Sequence, residues 1–493
     1  MNLDALLRDV NTLAVVCNQF GDSGKGKIVD FIAYSWADIV IRGTGGGNAG
    51  HTVNDGDLTI ILHTVPCGIL NPDVLNIDGP GVAVDPRGVC KELDELDSLG
   101  IEYKFRISRN ARLILPQHLV LDRMGEKKSG KGKIGTTGRG IGPCYTDHYA
   151  RIGLVVNDLL NRDVLARKLQ KNLRDKLVLL EAEGRETARA IMQHEHLDFG
   201  IYFDQKNIFD VDAVVEMYTE YGKRLKSFIA DTDEIVRKAL GSRKRILLEG
   251  AQGHGLSIDY GTYPFVTSSD CDIPGLAKGA GLKERDVDFV LGVVKCPYMT
   301  RVGEGPFPTE LGGEKSAVWC DTHKKEDEDK LEVSVNDADE FNQGIAIRKV
   351  GEEYGATTGR PRRTGWLDLP FLRNAMQVNG TNLALTKLQV FDGVSEIKIC
   401  THYIYQGNDY EDGSRTLRRG DLLQVASQDL DIISNCQPVY TTLRGWKGPT
   451  QDIKDYNKLP RNLKRLVEYV KRETGGRVRI LSMGPKRTQT ILR

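Results

Sequence analysis

A short apolar run followed at once by a glycine-rich loop constrains the fold of this chain more than any other feature. Residues Leu13–Cys17 have the pattern of a buried β-strand, and Ile28–Ile32 have the pattern of a helix. The loop between them contains Gly21-Asp22-Ser23-Gly24-Lys25-Gly26-Lys27. Backbone N–H groups in such a loop can turn toward an anion, and the start of the helix adds the positive end of its dipole. The pattern therefore predicts a phosphate-binding loop at the carboxyl end of a strand.

One residue of this loop is unusual for a phosphate site. The loop satisfies G-x-x-x-x-G-K, but Ile28 follows it, where a Walker A loop has a hydroxyl that binds Mg²⁺. Asp22 lies inside the loop, where a carboxylate repels phosphate unless it holds a cation or accepts a proton from the substrate. Asp22 is therefore a candidate catalytic residue, and the alternative is an aspartate that caps the helix.

Short β-branched segments alternate with longer segments of helical period along the rest of the chain. This pattern predicts an α/β fold, with a large, mainly parallel twisted sheet flanked by helices and related to P-loop NTPases. We expect residues 1–493 to form one catalytic domain, with a helical excursion at about 155–240 and a charged, solvated insertion at about 312–350. The further predicted strands are Asp38–Arg42, Arg245–Leu248, Phe289–Lys295, Leu383–Thr386 and Val478–Leu481.

Charge and cysteine content exclude several classes of protein. Lys plus Arg and Asp plus Glu both number 68 in the 493 residues, so no global field would attract nucleic acid or a membrane surface. The nine cysteines form no C-x-x-C pair, which argues against zinc ribbons and disulfide frameworks. No signal peptide or apolar run of ~18 residues is visible, so we expect a cytoplasmic protein.

Three more glycine-rich loops suit anionic ligands. Gly43–Thr52 contains five glycines together with Asn48 and His51, and the alternative for His51 is a core histidine. Gly135–Pro143 and Gly355–Trp366 combine glycine, hydroxyls and arginine, which binds carboxylates and phosphates as a fork. Four such loops favour an enzyme that transfers a phosphoryl group between several substrates.

In content and order these loops resemble the adenylosuccinate synthetase family, from Asn18 nearly to the C-terminus. The other motifs that carry the resemblance are E-G-A-Q-G at Glu249–Gly253, G-T-Y-P-F-V-T-S-S at Gly261–Ser269 and G-P-F-P-T-E at Gly305–Glu310. The resemblance implies a GTP-dependent ligase that forms adenylosuccinate from IMP and L-aspartate through 6-phosphoryl-IMP, the first committed step from IMP to AMP.

The resemblance also implies residue roles. Asp22 would be the base that removes the N1 proton of IMP, His51 the acid at the 6-oxygen, and Lys25 a contact of the transferring phosphate. Mg²⁺ would bind Asp22 and the main-chain oxygen of Gly50. IMP would contact Asn48, Thr137, Gln252, Thr267, Arg360 and, across a homodimer interface, Arg151 of the neighbouring subunit. L-Aspartate would contact Thr357, Thr358, Gly359 and Arg360. GTP would contact Gly21, Gly24, Lys25, Gly26, Lys27, Arg362, Lys387, Gln389, Ser482 and Gly484.

Some positions depart from the family pattern. Ser23 and Gly47 replace the usual Glu and His, Gln389 replaces an Asp that reads guanine, and Lys486 replaces an acidic residue. We expect GTP to remain the donor, with weaker selectivity. A regulatory GTPase would need a hydroxyl after Lys27 and an N/T-K-x-D motif, and a catalytically inactive relative would not need its titrating groups.

Overall fold

The computed structural model describes residues 3–493 except 57, 130–133, 183–209, 356–358 and 414. Its strands are β1 (Thr12–Cys17), β2 (Ile39–Arg42), β3 (His51–Asp55), β4 (Leu58–Leu62), β5 (Leu75–Asp78), β6 (Ala83–Val84), β7 (Lys104–Ser108), β8 (Arg112–Leu113), β9 (Ile229–Ala230), β10 (Ile246–Glu249), β11 (Phe289–Lys295), β12 (Tyr298–Arg301), β13 (Arg363–Asp368), β14 (Asn382–Thr386), β15 (Glu396–Tyr405), β16 (Tyr410–Glu411), β17 (Thr416–Leu417), β18 (Leu422–Leu423), β19 (Cys436–Arg444), β20 (Arg477–Ser482) and β21 (Thr490–Leu492).

Helices connect these strands. They are α1 (Leu3–Leu6), α2 (Lys25–Ser35), α3 (Pro86–Ser98), α4 (Pro116–Ser129), α5 (Ile141–Tyr149), α6 (Arg162–Ala182), α7 (Val211–Leu225), α8 (Thr232–Gly241), α9 (Ile273–Gly279), α10 (Gly313–Thr322), α11 (Lys325–Asp329), α12 (Glu340–Gly351), α13 (Leu369–Asn379), α14 (Leu430–Ile433) and α15 (Arg461–Thr474). Short 3₁₀ helices also occur, including His254–Leu256 and Leu388–Phe391.

A ten-stranded sheet forms the framework of the fold. Its order is β21-β20-β14-β11-β1-β10-β2-β5-β7-β9. Neighbours pair in parallel, except that β21 is antiparallel to β20. Strand β1 lies inside the sheet, with strands from later in the chain on both of its sides. The connections between strands therefore pass over both faces of the sheet. The prediction of a mainly parallel α/β sheet is confirmed, and all six predicted strands belong to it.

The first strand is apolar throughout because it is buried on both faces. Leu13 and Val15 belong to one hydrophobic cluster with Ile28 of α2. Ala14 and Val16 belong to another with Leu276 of α9. Successive side chains of a strand point to opposite faces, so a strand covered on both sides loses the polar alternation of a half-exposed one.

A second, five-stranded sheet lies beside the first. Its order is β12-β13-β15-β18, and β19 pairs antiparallel with β15. Strand β13 begins at Arg363, directly after the segment that contains Arg360 and Arg362. This sheet therefore anchors one end of the fourth glycine-rich loop.

The predicted helical excursion contains α6, α7 and α8 among its described residues. Leu165, Leu169 and Leu173 of α6 are buried, as the spacing of four residues predicts. Residues 183–209 lie outside the described part of the chain. The organisation of the whole chain as one domain stays a prediction.

The charged segment between 312 and 350 differs from the solvated insertion predicted from its sequence. Glu328, within the run K-K-E-D-E-D-K, is fully buried and forms an ion pair with the buried Arg348 at 2.6 Å. Trp319 Nε1 and the Tyr354 hydroxyl also donate hydrogen bonds to Glu328, at 2.9 and 2.8 Å. A mixed-charge run can thus contain one buried carboxylate whose partner is 20 residues away. The stretch at 336–340 is mostly exposed, as expected.

Two further properties concern the cysteines and the membrane. All nine cysteines are free thiols and buried. Among the helices that the structure describes, none combines the length and apolar character needed to cross a bilayer.

Candidate active site

The carboxyl ends of several strands of the central sheet lie around one cavity of about 760 Å³. The first glycine-rich loop follows β1 and the second follows β2, and both line this cavity together with Gln252 after β10. Lys387 and Gln389 after β14, and Ser482 and Gly484 at the end of β20, line it as well. Ligands of open α/β sheets bind outside the carboxyl ends of the strands, so the cavity lies where the fold places a binding site.

The first loop presents the start of a helix to this cavity. Gly24 precedes α2 with a left-handed φ of 83°, and Lys25 is the first residue of the helix. The first N–H groups of a helix have no partner within it, so this end of α2 can bind a phosphate. A Cβ at Gly26 would lie 3.1 Å from the Cβ of His51, so this glycine lets the second loop approach closely. The ammonium of Lys25 donates to the carbonyl of Gln252 at 2.5 Å.

Asp22 extends from the same loop with a positive φ of 45°, a backbone conformation that few residues other than glycine adopt. Its Oδ2 lies 2.7 Å from Nε of Arg362. Partial shielding from water alone raises the pKa of Asp22, whose side chain is 35% exposed, but Arg362, Lys295 and Lys25 outweigh this effect, and the pKa is lowered. The carboxylate is therefore ionised near neutral pH and able to accept a proton.

His51 lies at the start of β3, where its ring contacts a buried carboxylate. Its Nδ1 forms a short hydrogen bond with Oε1 of Glu249, and Arg42 Nη2 lies 3.1 Å from the same nitrogen. Burial and the Arg42 charge lower the pKa of His51 to about 4, although Glu249 acts in the opposite direction. The contact to Glu249 occupies Nδ1 and fixes the ring, and His51 lines the cavity.

Sequence reasoning did not assign roles to Glu249 and Arg42, which support His51. Both are fully buried at the carboxyl ends of β10 and β2. Burial raises the pKa of Glu249, but Arg42 and His51 reverse this, and the pKa is lowered to about 2. The sequence did contain one indication of this role, because each of the two residues is a charged residue at the end of an otherwise apolar strand. A buried charge at such a position needs a partner of opposite charge.

Lys295 is a third buried charge whose role was not predicted from the sequence. It ends β11 and donates to Thr300 Oγ1 at 2.7 Å and to Glu353 Oε2 at 2.5 Å. Glu353 also accepts a hydrogen bond from the Tyr298 hydroxyl at 2.5 Å. Burial lowers the pKa of Lys295, and the charge of Lys295 in turn favours ionised Asp22.

The residues expected to contact IMP are only partly brought together. Asn48 Nδ2 donates to Thr267 Oγ1 at 3.4 Å, and Asn48, Gln252 and Thr137 line the cavity. Both amide atoms of Gln252 are buried without a hydrogen-bond partner among the described residues. Arg151 is exposed and does not line the cavity of its own chain.

Two of the residues expected to bind L-aspartate, Thr357 and Thr358, lie outside the described residues. Gly359 is described, and its N–H donates to the Gly355 carbonyl at 2.8 Å. Arg360 lines the cavity, with Nη1 at 4.0 Å from Oδ1 of Asp321. The charged segment therefore contributes directly to the wall of the cavity.

Several residues expected to bind GTP line the cavity together, namely Lys27, Lys387, Gln389, Ser482 and Gly484. Lys27 donates to Ser482 Oγ at 2.6 Å, to the Gly484 carbonyl at 2.7 Å and to the Gln489 carbonyl at 2.8 Å. The side-chain nitrogen of Lys27 thus holds the segment after β20, and burial lowers its pKa to about 7, although its place in the loop suggested a phosphate contact. Lys387 donates to the Gly351 carbonyl at 2.7 Å.

The fold and this cavity define an enzyme of the class that transfers a phosphoryl group between bound substrates. The family model for adenylosuccinate synthetase matches residues 14–491. The chain belongs to the adenylosuccinate synthetase family.

Curated relatives and a solved structure agree with this membership. The chain is 40% identical to the adenylosuccinate synthetase of Thermodesulfovibrio yellowstonii over 98% of this chain and 99% of the relative. It is 41% identical to that of Halothermothrix orenii over 97% and 98%. The structure of fully ligated adenylosuccinate synthetase from Plasmodium falciparum is similar, with a TM-score of 0.78, 29% identity, and coverage of 98% of this chain and 100% of that one.

The activity follows from this membership. The chain is a GTP-dependent ligase that forms adenylosuccinate from IMP and L-aspartate in purine biosynthesis. The sequence-based prediction of family and reaction is confirmed.

Proposed function

We propose that Asp22 and His51 together make the 6-oxygen of IMP a nucleophile toward the γ-phosphate of GTP. The observation that carries the proposal is that an ionised carboxylate and an imidazole face one cavity beside the start of α2. Asp22 accepts the N1 proton, and His51 donates a hydrogen bond to the 6-oxygen. Placing a base and a donor on one amide group shifts electron density onto its oxygen.

The reaction then has two displacement steps. The 6-oxygen forms a bond to the γ-phosphorus, and the bond from that phosphorus to the bridging oxygen breaks, which releases GDP. The amino nitrogen of L-aspartate next attacks C6, the C6–O bond breaks, and inorganic phosphate leaves with the original 6-oxygen. The nitrogen loses its proton to give adenylosuccinate. Lys25 and the start of α2 stabilise the negative charge of the transferring group.

The protonation of His51 fits its role once anionic substrates are bound. Burial and Arg42 hold the pKa of His51 at about 4. Phosphate groups placed nearby stabilise the imidazolium and raise that pKa, because opposite charges favour the ionised form. Glu249 then balances the added charge through Nδ1, and Nε2–H becomes the donor.

The first two glycine-rich loops offer oxygen ligands that are suited to Mg²⁺. Asp22 offers a carboxylate and Gly50 a main-chain carbonyl, and both residues line the cavity. Mg²⁺ prefers such hard oxygen ligands, whereas the nearby group of His51, Cys67 and Glu249 presents nitrogen and sulfur beside one carboxylate, and that carboxylate already forms an ion pair with Arg42. Bound Mg²⁺ would neutralise phosphate charge, and Asp22 would exchange its contact with Arg362 for the ion.

The remaining assignments concern L-aspartate, the subunit partner and the compartment. Arg360 suits a carboxylate of L-aspartate because its guanidinium can form two parallel hydrogen bonds. Arg151, exposed and away from its own cavity, would serve the IMP phosphate of a second subunit in a homodimer. Nine free thiols are typical of the reducing cytoplasm.

Omission of single substrates tests the proposed reaction. Adenylosuccinate and GDP should form in equal amounts only when IMP, L-aspartate, GTP and Mg²⁺ are all present. GTP hydrolysis without IMP would instead indicate a hydrolase, and formation of product in the presence of a chelator would show that Mg²⁺ is not required.

A further inference from the structure

Gln389 occupies a defined position at the end of the cavity that is formed by the segment after β14. It belongs to the 3₁₀ helix Leu388–Phe391, which follows β14 directly. The residue lines the cavity, and its Oε1 is buried without a hydrogen-bond partner among the described residues. A buried amide oxygen without a partner costs free energy, so this atom is suited to a ligand donor.

Neighbouring polar groups at this end already have partners. Ser482 Oγ and the Gly484 carbonyl accept hydrogen bonds from Lys27, at 2.6 and 2.7 Å. The Asp392 carboxylate accepts from Trp446 Nε1 and Thr450, at 2.7 and 2.8 Å. The Gln389 amide thus offers a buried acceptor at this end that is left for a ligand.

The position of Gln389 relative to the phosphate loop indicates which part of the donor it meets. Thr386, three residues earlier, donates to the carbonyl of Ser23 at 2.6 Å, so the end of β14 abuts the first loop. With the phosphates of the donor at the start of α2, a purine attached through ribose extends toward the segment after β14. This step rests on the proposed function, which places the triphosphate at the first loop.

A neutral amide and a carboxylate recognise different sets of purine atoms. The Gln389 amide has one acceptor oxygen beside one NH₂ donor. The N1–H and O6 of a 6-oxopurine match this pair, and the N1 and 6-NH₂ of adenine match it after the amide rotates by half a turn. A carboxylate has two acceptors, so it matches the N1–H and 2-NH₂ of guanine and no edge of adenine.

We propose that the Gln389 amide forms hydrogen bonds with purine positions 1 and 6 of the phosphoryl donor and makes no hydrogen bond with the 2-amino group of guanine. Inosine triphosphate then replaces GTP with kcat/KM within about threefold, because the two bases differ only in the 2-amino group. ATP stays within about 10²-fold of GTP, far from the 10⁴–10⁵-fold rejection of a site that leaves a polar group unpaired with the wrong substrate.

The test measures kcat/KM for GTP, ITP and ATP at fixed IMP and L-aspartate, in wild type and in Gln389→Glu. The glutamate has the same length but offers two acceptors and a charge. It should lower the ITP-to-GTP ratio of kcat/KM by about tenfold, because charge-assisted hydrogen bonds are roughly twice as strong as neutral ones and only guanine offers the second donor. ATP use should fall further than ITP use, whereas the KM values for IMP and L-aspartate should not change.

The matched control is Gln437→Glu, the same substitution at an exposed position of β19; its donor ratios should equal those of wild type. A wild-type preference for GTP over ITP above tenfold would show that the 2-amino group is read and would overturn the inference without the need for any variant. Unchanged ratios in Gln389→Glu would likewise overturn it. Failure of all three donors to support ligation would instead contradict the proposed function.

Discussion

Nε of Arg362 lies 2.7 Å from Oδ2 of Asp22, and this ion pair joins the segment before β13 to the phosphate loop after β1. The two residues are 340 positions apart in the chain. Partial shielding of Asp22 from water raises its pKa, and Arg362 is the leading charge that reverses this effect. Before Mg²⁺ binds, Arg362 thus helps to keep the proposed base ionised, which is the form that can remove a proton from IMP.

Removal of the proton-handling groups should abolish ligation and leave the fold intact. Asp22→Asn and His51→Ala each should lower kcat by ~10² to 10⁴ or more, the range typical of general acid and base groups. The measurement is adenylosuccinate formation, with circular dichroism to confirm the fold of each variant. Near-normal turnover with an unchanged pH dependence in either variant would show that its assignment is wrong.

Subunit mixing tests the position of Arg151. Arg151→Ala and Asp22→Asn should each be inactive alone. A hybrid dimer should contain one site with both groups intact, so mixing the two variants should restore part of the activity. IMP should also favour the dimer, because a ligand that binds across the interface stabilises it by mass action. Absence of recovery despite demonstrated subunit exchange would place Arg151 at the site of its own chain.

A buried histidine outside the reaction should make stability depend on pH. Nδ1 of His254 lies 3.1 Å from the Asp272 carboxylate, and Nε2 contacts Asn374 Oδ1 at 2.7 Å. Burial lowers the pKa of His254, but Asp272 and Asn374 outweigh it, with a smaller contribution from Asp270, and the pKa is raised.

The pKa of His254 is higher in the folded protein than in the unfolded chain. The contacts of the charged His254 therefore stabilise the fold fully below the unfolded pKa of about 6.5, and this stabilisation is lost as the pH rises through the folded pKa. The free energy of unfolding, measured in urea, should therefore differ more between wild type and His254→Gln at about pH 6 than at about pH 9. An equal difference at both pH values would show that His254 is not charged in the folded protein.

The charged segment between 312 and 350 should depend on one buried ion pair. Glu328→Ala leaves Arg348 buried without its partner and should cost about 3–5 kcal/mol of stability. Glu326→Ala, an exposed glutamate two residues earlier, should change stability by no more than about 0.5 kcal/mol. Equal losses in the two variants, measured by denaturant unfolding, would contradict the role assigned to Glu328.

The parts of the site that are local in sequence could be predicted from it. The glycines and lysines of the loop Gly21–Lys27 lie within a few residues of the strand that precedes them. The position of this loop at the end of a strand could therefore be predicted directly from the sequence. Glu249 and His51 are 198 positions apart, and their contact depends on β10 lying next to β2 in the sheet. Strand order is a property of the whole fold, so this support for His51 could not be predicted from either segment.

Burial of single charges was equally hard to predict. The run that contains Glu328 has the composition of a solvated segment, and only its contact with Arg348 makes burial of that carboxylate favourable. Lys27 stands where a phosphate contact was expected, but the carbonyls of Gly484 and Gln489 reach it from a segment more than 450 residues later.

Transfer of an oxygen label tests the proposed mechanism most directly. In that mechanism, the 6-oxygen of IMP attacks the γ-phosphate of GTP and later leaves with it. IMP labelled with ¹⁸O at position 6 should therefore yield inorganic phosphate that carries one ¹⁸O for each adenylosuccinate formed, as measured by mass spectrometry. Phosphate without the label would mean that water attacks GTP, and the roles of Asp22 and His51 in activating the 6-oxygen would be contradicted.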